Sequence, residues 1–472
     1  MTTPAVVEGA APGRAGGRGR VPRAGGRPGV REAAAGLRRS AGTPPGRLRL
    51  AGAVLAALAL LFGAAVAWQA GARADAADRV VTHSQPLSRD ATEIYRSLAD
   101  ADTTAATGFL LAGDEPAAVR KRYEDDLATA AALLTEAAAQ AGPGSATQAL
   151  IGRINQQLPQ YAGLVETART DNRQGLPLGG AYLRYASALM QDTVLPAAQQ
   201  LAAAESAQLD RDSAAAESLP WPAGLLGVAA LAALIRYQVV LFRRTHRVLN
   251  PGLAAASAAV LAAVLWVVVG GAAASAGLAA GRTSGSVPLR DLGEVRTEAL
   301  QARAAENLDL VARGASDVYA ARWQTVSAAL AGRAANAAPD AAAPQRAGGG
   351  ALERAYGRAP AGAAKHLASA RDLFATWDAR HAAAARSDRA GDYDAALRAT
   401  VAVGDPGTTE AASAALDREL AAAADAEQAR FDEATAGTAA GYRALAAGAA
   451  VLAVLAAAGT VRGIGRRLAE YR

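Results

Sequence analysis

Four long apolar runs divide the chain, and the segments between them are unequal in length. The runs cover residues 50–70, 222–242, 254–279 and 443–461. A helix of about 20 apolar residues is long enough to cross the hydrocarbon core of a bilayer. Because most polar residues lie between the first and second runs and between the third and fourth, the pattern is typical of receptors and assembly proteins rather than of channels or transporters.

Apolar positions in the first long segment, 71–220, recur in alternating steps of three and four residues, which is the spacing of a left-handed helical bundle. Gly and Pro interrupt this spacing at three places, around Gly113–Pro116, Gly142–Gly144 and Gly175–Pro177. The segment therefore predicts a four-helix, up-down-up-down bundle. The apolar positions of its first predicted helix include Leu87, Ile94, Leu98, Ala101, Ala105 and Phe109.

The second long segment, 280–442, repeats this plan. At an offset of 201 residues, Arg89-Asp90, Glu93 and Ile94 correspond to Arg290-Asp291, Glu294 and Val295. At an offset of 216 residues, Ile154, Tyr161 and Val165 correspond to Ala370, Trp377 and His381. The additional residues fall into one Ala/Gly/Pro-rich loop near 334–350, as expected of a duplication. Shared Ala-rich heptads could produce part of the same match.

Charge distinguishes the two sides of the predicted membrane. The first 49 residues contain ten Arg against two Glu, whereas segment 71–220 has 12 basic and 19 acidic residues and segment 282–440 has 18 and 21. Positive residues stay on the cytoplasmic side, so both termini are expected inside and both long segments outside. The net charge of +6 therefore reflects topology and does not indicate a nucleic-acid partner.

The N-terminal tail leaves two interpretations open. It fits a solvated, disordered leader near anionic lipid, and it also fits a docking site for a cytoplasmic partner. Ala65-Val66-Ala67 has the small residues of a signal cleavage site, although the preceding tail is longer than a usual signal n-region.

Chemistry-bearing motifs are sparse in this sequence. It has no Cys, so no disulfide can hold the external segments, and its four His show no metal-ligand spacing. We find no P-loop, nucleophile elbow, HExxH or kinase signature. We therefore expect no enzymatic activity, no metal and no cofactor, and we expect any output to pass through a partner.

Five residues of the external segments are candidate contacts for a ligand or partner: Asp102, Thr103, Trp323, Trp377 and His381. Each has a simpler structural interpretation. The run Asp100–Thr104 also fits a solvated helix face, the two Trp also fit core anchors, and His381 also fits a core residue bonded to a neighbour.

The short turn between the second and third apolar runs carries Arg243, Arg244 and Arg247 and no acid. Arg guanidinium groups bind carboxylates and phosphates in a bidentate manner, so this turn could recognise a cytoplasmic partner. The alternative is that these Arg only fix the orientation of the chain in the membrane.

The stretch YRSLADADTTAATGFLLAGDEPAAVRKRYEDDL resembles the four-helix sensor domains of bacterial chemoreceptors and histidine kinases. With HLASARDLFATWDARHAAAARSDRAGDYDAAL in the second copy, the doubled layout is similar to an actinobacterial four-span membrane protein encoded beside a glutamine-binding lipoprotein and protein kinase G. This resemblance implies an external solute-binding lipoprotein and a cytoplasmic kinase as partners. It carries no family site residue onto this chain, and homo-oligomerisation stays open.

The sequence as a whole predicts an all-α membrane protein of the plasma membrane with four transmembrane helices and two extracytoplasmic up-down four-helix bundles, internally duplicated. We expect a non-enzymatic sensor or signal-relay protein, with a structural scaffold of an envelope complex as the alternative and a transport accessory third. The predicted order begins with a cytoplasmic tail (1–49), a first span (50–70), a first bundle (71–220) and a second span (222–242). A cytoplasmic turn (243–253) then leads to a third span (254–279), a second bundle (280–442), a fourth span (443–461) and a cytoplasmic tail (462–472).

Overall fold

The structure is a computed structural model that describes residues 44–111, 115–218, 221–245, 250–283, 287–314, 317–332, 349–402 and 404–469. Every long element within these ranges is a helix. The prediction of an all-helical chain is thus confirmed for the described residues. Most of the Arg-rich tail 1–49 lies outside them.

The first half of the chain, residues 44–245, begins with an apolar helix that continues into the first long segment. Its helices are α1 (Pro44–Arg79), α2 (Gln85–Leu110), α3 (Ala117–Gln140), α4 (Ala146–Arg173), α5 (Leu178–Leu189), α6 (Leu195–Glu217) and α7 (Trp221–Thr245). The side chain of Ser145 starts α4 by accepting a hydrogen bond from the Gln148 backbone N–H, a common N-cap.

The second half, residues 250–469, follows a similar order of long and short helices. These are α8 (Pro251–Gly281), α9 (Val287–Ala312), α10 (Val318–Ala331), α11 (Ala351–Arg358), α12 (Ala361–Arg389), α13 (Tyr393–Val401), α14 (Thr409–Thr435) and α15 (Thr438–Ala469). Asn250 and Thr408 provide the N-caps of α8 and α14.

Among the residues that the structure describes, four helical stretches are long and apolar enough to cross a membrane: Gly46–Leu110, Leu178–Arg243, Pro251–Gly281 and Thr409–Ala469. Their apolar parts, in α1, α7, α8 and α15, share one core that contains Phe62, Leu234, Val260 and Ala456. Helix α1 begins at Pro44, before the apolar run itself, because Pro is favoured in the first turn of a helix.

Short π-helical turns lie at Val80–Ser84 between α1 and α2 and at Met190–Val194 between α5 and α6. Pro86 and Pro196 are the second residues after these turns. Proline lacks the N–H that an α-helix needs at this point, and the wider turn accommodates the missing bond without ending the helix. The apolar helix α1 therefore passes into α2 without a break.

The two long segments share part of their cores. Helices α2 to α6 surround a cluster that includes Ile94, Leu134 and Tyr161, and Leu300 and Val311 of α9 belong to the same cluster. A second cluster is formed by residues of α9, α10, α11, α12 and α14, whereas Ala396 and Val401 of α13 belong to the first. The first segment is thus completed by side chains of the second.

Polar contacts and close packing join the predicted inner ends of three apolar helices. Asn250 donates from Nδ2 to the Gly463 carbonyl of α15 at 2.8 Å. Gln238 of α7 donates from Nε2 to the Leu253 carbonyl at 2.9 Å and to Ser257 Oγ at 2.7 Å. These hydrogen bonds connect α7 to α8 and, through Asn250, the start of α8 to α15.

The close approach of α8 and α15 depends on glycine. A β-carbon at Gly252 would overlap the backbone of Gly463, whereas one at Gly224 of α7 would meet nothing within 4 Å. We predict that Gly252→Ala lowers the stability of the purified protein by about 1–3 kcal/mol, the usual cost of overpacking. Gly224→Ala is the matched control and should unfold like the wild type. Equal thermal midpoints for the two variants would contradict the predicted packing.

Candidate functional site

Helices α2 and α9 lie side by side and form the central contact between the two halves. Gln301 donates from Nε2 to the Tyr95 hydroxyl at 2.9 Å, and Asn307 donates from Nδ2 to Thr107 Oγ1 at 2.9 Å. The partners are 206 and 200 residues apart in the chain. Because the residue numbers rise together along both helices, α2 and α9 run parallel.

Asp100 of α2 is a buried carboxylate at the centre of this contact. Arg122 of α3 donates from Nε to Asp100 Oδ2 at 2.9 Å and from Nη2 to Oδ1 at 3.0 Å. Arg303 of α9 donates from Nη1 to Asp100 Oδ1 at 3.1 Å. Burial alone would raise the pKa of Asp100, but the charges of Arg303 and Arg122 hold it below its ordinary value.

Arg303 extends this ion pair into the second half. Its Nε donates to Glu410 Oε2 at 3.0 Å and its Nη2 donates to Glu410 Oε1. Only 6% of the Arg303 side chain is exposed, so the pair with Asp100 is shielded from solvent. Although burial lowers the pKa of the guanidinium, Glu410 and Asp100 raise it overall and keep it charged.

Asp126 of α3 places a second acid beside Asp100. Its Oδ2 is buried and accepts no hydrogen bond. Burial and the neighbouring charge of Asp100 raise the pKa of Asp126 to about 8. Near neutral pH the two acids therefore carry one negative charge, which faces Arg122 and Arg303.

Asp102 lies two residues further along α2 and is buried, with hydrogen-bond partners from the first segment. Its Oδ2 accepts hydrogen bonds from Ser187 Oγ at 2.6 Å and from Gln191 Nε2 at 3.2 Å, and its Oδ1 accepts one from the Tyr161 hydroxyl at 3.3 Å. Burial raises the pKa of Asp102, although these hydrogen bonds oppose the shift. Thr103 is also buried, and it donates to the Asp100 carbonyl at 2.9 Å.

Glu306 of α9 is the corresponding buried acid of the second half. Trp377 donates from Nε1 to Glu306 Oε2 at 3.0 Å, and His381 Nδ1 lies 2.8 Å from Glu306 Oε1. The His381 ring stacks on Trp323 with centroids 3.7 Å apart, and Trp323 meets Trp377 edge to face at 5.1 Å. The structure thus brings three of the predicted site residues into one aromatic cluster.

The predicted site residues form two clusters, one around Asp102 and Thr103 and one around Trp323, Trp377 and His381. The interpretation of Asp100–Thr104 as a solvated helix face is wrong, because all five residues are buried. Of the inner-turn arginines, Arg243 is exposed near the end of α7. The side chain of Arg244 and the whole of Arg247 lie outside the described residues.

Sequence reasoning missed the pairing between the two halves. Arg303 stands 201 residues after Asp102, the offset of the sequence repeat, so the repeat aligns a base with an acid. This charge reversal at aligned positions was the available signal. Heptad spacing could not reveal the pairing, because it describes a single helix and does not indicate which of its polar residues face another helix.

No cluster of three or more metal-ligating side chains occurs among the residues that the structure describes. Residues 76–214 match a family model described as an actinobacterial sensor domain. No curated protein and no solved structure matches the chain. The family match covers less than a third of the chain, all of it in the first half, and it supports a sensor role.

The buried and exposed ion pairs between the halves should differ in strength. Arg303→Gln leaves Asp100 and Glu410 without their shared cation, and we predict a loss of about 3–5 kcal/mol. Arg290 of α9 pairs with Asp210 of α6 at 3.0 Å, with 54% of each side chain exposed, so Arg290→Gln should cost about 0–1 kcal/mol. Chemical unfolding of both variants measures the difference, and equal losses would contradict the assignment.

Stability should decline between about pH 4 and pH 8, because folded Asp126 retains a proton that the unfolded chain releases near its ordinary pKa of 3.8. Asp126→Asn should reduce this slope, whose limit for one proton is about 1.4 kcal/mol per pH unit. Part of the slope should remain in this variant, because burial also raises the pKa values of Glu298 and Glu427 to about 7. Thermal midpoints from pH 5 to pH 8 test this.

Asp125→Asn is the matched control for that series. Asp125 neighbours Asp126 in the chain but is exposed and pairs with Lys121 on the surface. Its variant should keep the wild-type slope. A wild-type slope in Asp126→Asn as well would show that Asp126 does not hold the additional proton.

Proposed function

We propose that this chain is a non-enzymatic transmembrane sensor or signal-relay protein of the plasma membrane. In this proposal it receives a signal outside the cell and passes it to a cytoplasmic partner. The observation that carries the proposal is where the sensor-domain match begins and ends. It starts at Ala76, inside α1, and ends at Ala214, inside α6.

These two positions adjoin the apolar helices. Helix α1 continues through the first π turn into α2, and α6 ends at Glu217, shortly before α7 begins at Trp221. The first and last helices of the matched domain are therefore extensions of two candidate spans. A small displacement of α2 relative to α6 would move the inner ends of α1 and α7.

The proposal includes a layout of four spans and two external four-helix bundles related by duplication, with both termini inside. The charge distribution supports the orientation. The pairing of Tyr161 with Asp102 and of Trp377 with Glu306 supports the duplication. Tyr161 and Trp377 are aligned by the 216-residue offset. Each donates a hydrogen bond to a buried acid on the first helix of its own segment.

A shift of about 1–2 Å along α2 is the size of movement that switching helices use. It would reach the inner turn by two routes. One runs through α7 and Gln238 to α8, and the other runs from α1 to α15, which packs against it. Asn250 connects α15 with the start of α8, so both routes meet beside the Arg-rich turn.

The partners in this proposal are a lipid bilayer, an external solute-binding lipoprotein and a cytoplasmic kinase. The two proteins come from the resemblance of the doubled layout to the family with a glutamine-binding lipoprotein and protein kinase G. Asp102 and Thr103 support the fold of the first segment from inside, so an external partner would meet the surface around them. The inner partner would meet Arg243, Arg244 and Arg247.

A structural scaffold is the second candidate function, and one observation favours it. The halves are joined by a buried ion pair and by several hydrogen bonds between α2 and α9, which is a rigid connection. A scaffold needs binding surfaces without switching. The two functions differ in whether an external signal changes the distance between inner helix ends.

Cysteine labelling of intact cells tests the layout, and the absence of native Cys makes every label specific. Ser145→Cys and Gly349→Cys should react with an impermeant maleimide outside, whereas His246→Cys should react only after lysis. Ser145 lies in the turn at the start of α4. Labelling of Ser145→Cys only after lysis would contradict the whole topology.

The relay itself is tested at the inner turn. Replacing Arg244 and Arg247 by Lys preserves charge and orientation but removes the planar guanidinium fork. We predict that this variant inserts normally and loses co-purification and signalling with its cytoplasmic partner. The matched control is Arg462→Lys in α15. Unchanged pull-down and signalling would show that the turn only anchors topology.

A further inference from the structure

A cavity of about 190 Å³ lies between the two halves. The wall from the first half is formed by Tyr95, Ala99 and Asp102 of α2, by Gln191 of the π turn Met190–Val194, and by Leu195, Pro196 and Gln199 of α6. The wall from the second half is formed by Leu300, Gln301 and Ala304 of α9 and by Arg322 of α10. A ligand in this cavity would touch both halves at once.

The charged residues that line the cavity are Arg322 and Asp102. Its one carboxyl group, Asp102, already accepts hydrogen bonds on both oxygens. The remaining polar side chains are the amides of Gln191, Gln199 and Gln301 and the Tyr95 hydroxyl, with Arg322 as the cation. This combination favours an anionic ligand over a cationic one.

Arg322 is held in position rather than neutralised. Its Nη1 donates to Gln191 Oε1, and the Gln191 amide nitrogen is in turn anchored on Asp102. Within the part of the chain that the structure describes, no carboxylate lies within ion-pair distance of Arg322. A partly exposed guanidinium held in this way is a ready binding group for a carboxylate.

The rest of the cavity is apolar. Leu195 and Pro196 face Leu300 and Ala304 across it, and these side chains offer contact area only to a hydrocarbon group. At about 30 Å³ for each water-sized group, the volume accommodates about six non-hydrogen atoms. A carboxylate with a short alkyl chain matches the size, the charge and the division into polar and apolar walls.

We propose that this cavity binds a short aliphatic carboxylate, with its carboxylate on the Arg322 guanidinium and its alkyl chain between Leu195 and Leu300. The inference deepens the proposed sensor function and rests on it for its biological meaning. Bound in this way, the ligand bridges α2 and α6 of the first half to α9 and α10 of the second. It would therefore stabilise one relative position of the halves.

Calorimetric titration of the full-length protein in nanodiscs tests the site with butyrate as the probe. Butyramide has the same shape without the charge, and sulfate has charge without the alkyl chain. We expect one butyrate per chain, with butyramide and sulfate each at least about tenfold weaker. Absence of butyrate binding, or equal binding of all three compounds, would overturn the proposal.

Two variants and one control assign the binding to this cavity. Arg322→Gln should weaken butyrate at least about tenfold, and Ala304→Leu should do the same by filling the cavity while keeping every charge. Arg184→Gln is the control, because Arg184 acts electrostatically on the same Tyr319 as Arg322 but does not line the cavity. Wild-type affinity in the two cavity variants would place the site elsewhere and overturn the proposal.

The outcome for the relay is read separately, from distances between spin labels at the inner ends of α1 and α7. Butyrate binding that changes these distances supports both proposals. Butyrate binding without such a change supports the site and contradicts the relay as its purpose. If the protein binds no butyrate but its inner helix ends still respond to an external partner, the sensor function stands and the cavity proposal is overturned.

Discussion

A charge buried in a protein interior has to be neutralised by a partner or by a bound proton, and this constraint governs how the two halves are joined. Asp100 is ionised because Arg122 and Arg303 surround it, and Asp126 retains a proton near neutral pH because burial and the neighbouring charge of Asp100 raise its pKa to about 8. Arg303 belongs to the other half. Separating the halves would remove Arg303 from Asp100 while Glu410 kept it, and breaking this buried pair is far more costly than losing an exposed one.

This connection gives the continuous first helix its mechanical importance. Helix α2 carries Asp100 and Asp102 and passes through the Val80–Ser84 turn into the apolar helix α1. Since α9 is fixed to α2 and α9 follows α8, we expect a displacement in either long segment to be shared by both. The same property fits a relay, in which the displacement is the signal, and a scaffold, in which it is suppressed.

The sequence predicted the helices well because apolar spacing and helix caps are local properties. Ile94 and Leu98 are buried at their predicted seam positions, and Ser145 caps α4 beside its predicted break. The polar residues of α2 were harder to interpret. Asp100 and Thr104 fit a solvated face when α2 is considered alone, but both are buried in the structure, where Arg122 of α3 and Arg303 of α9 contact Asp100. Contacts between distant helices leave no periodic trace in either one.

Hydrogen–deuterium exchange of the full-length Arg303→Gln variant tests most directly whether the halves act as one unit. If the buried pair couples the two halves, amide exchange should accelerate in both α2 and α9, including helical turns remote from Arg303. This acceleration should occur without butyrate or any other cavity ligand. The Arg290→Gln variant, which lacks only an exposed pair, should exchange like the wild type. Acceleration restricted to the turn around Arg303, with α2 unchanged, would contradict the coupling.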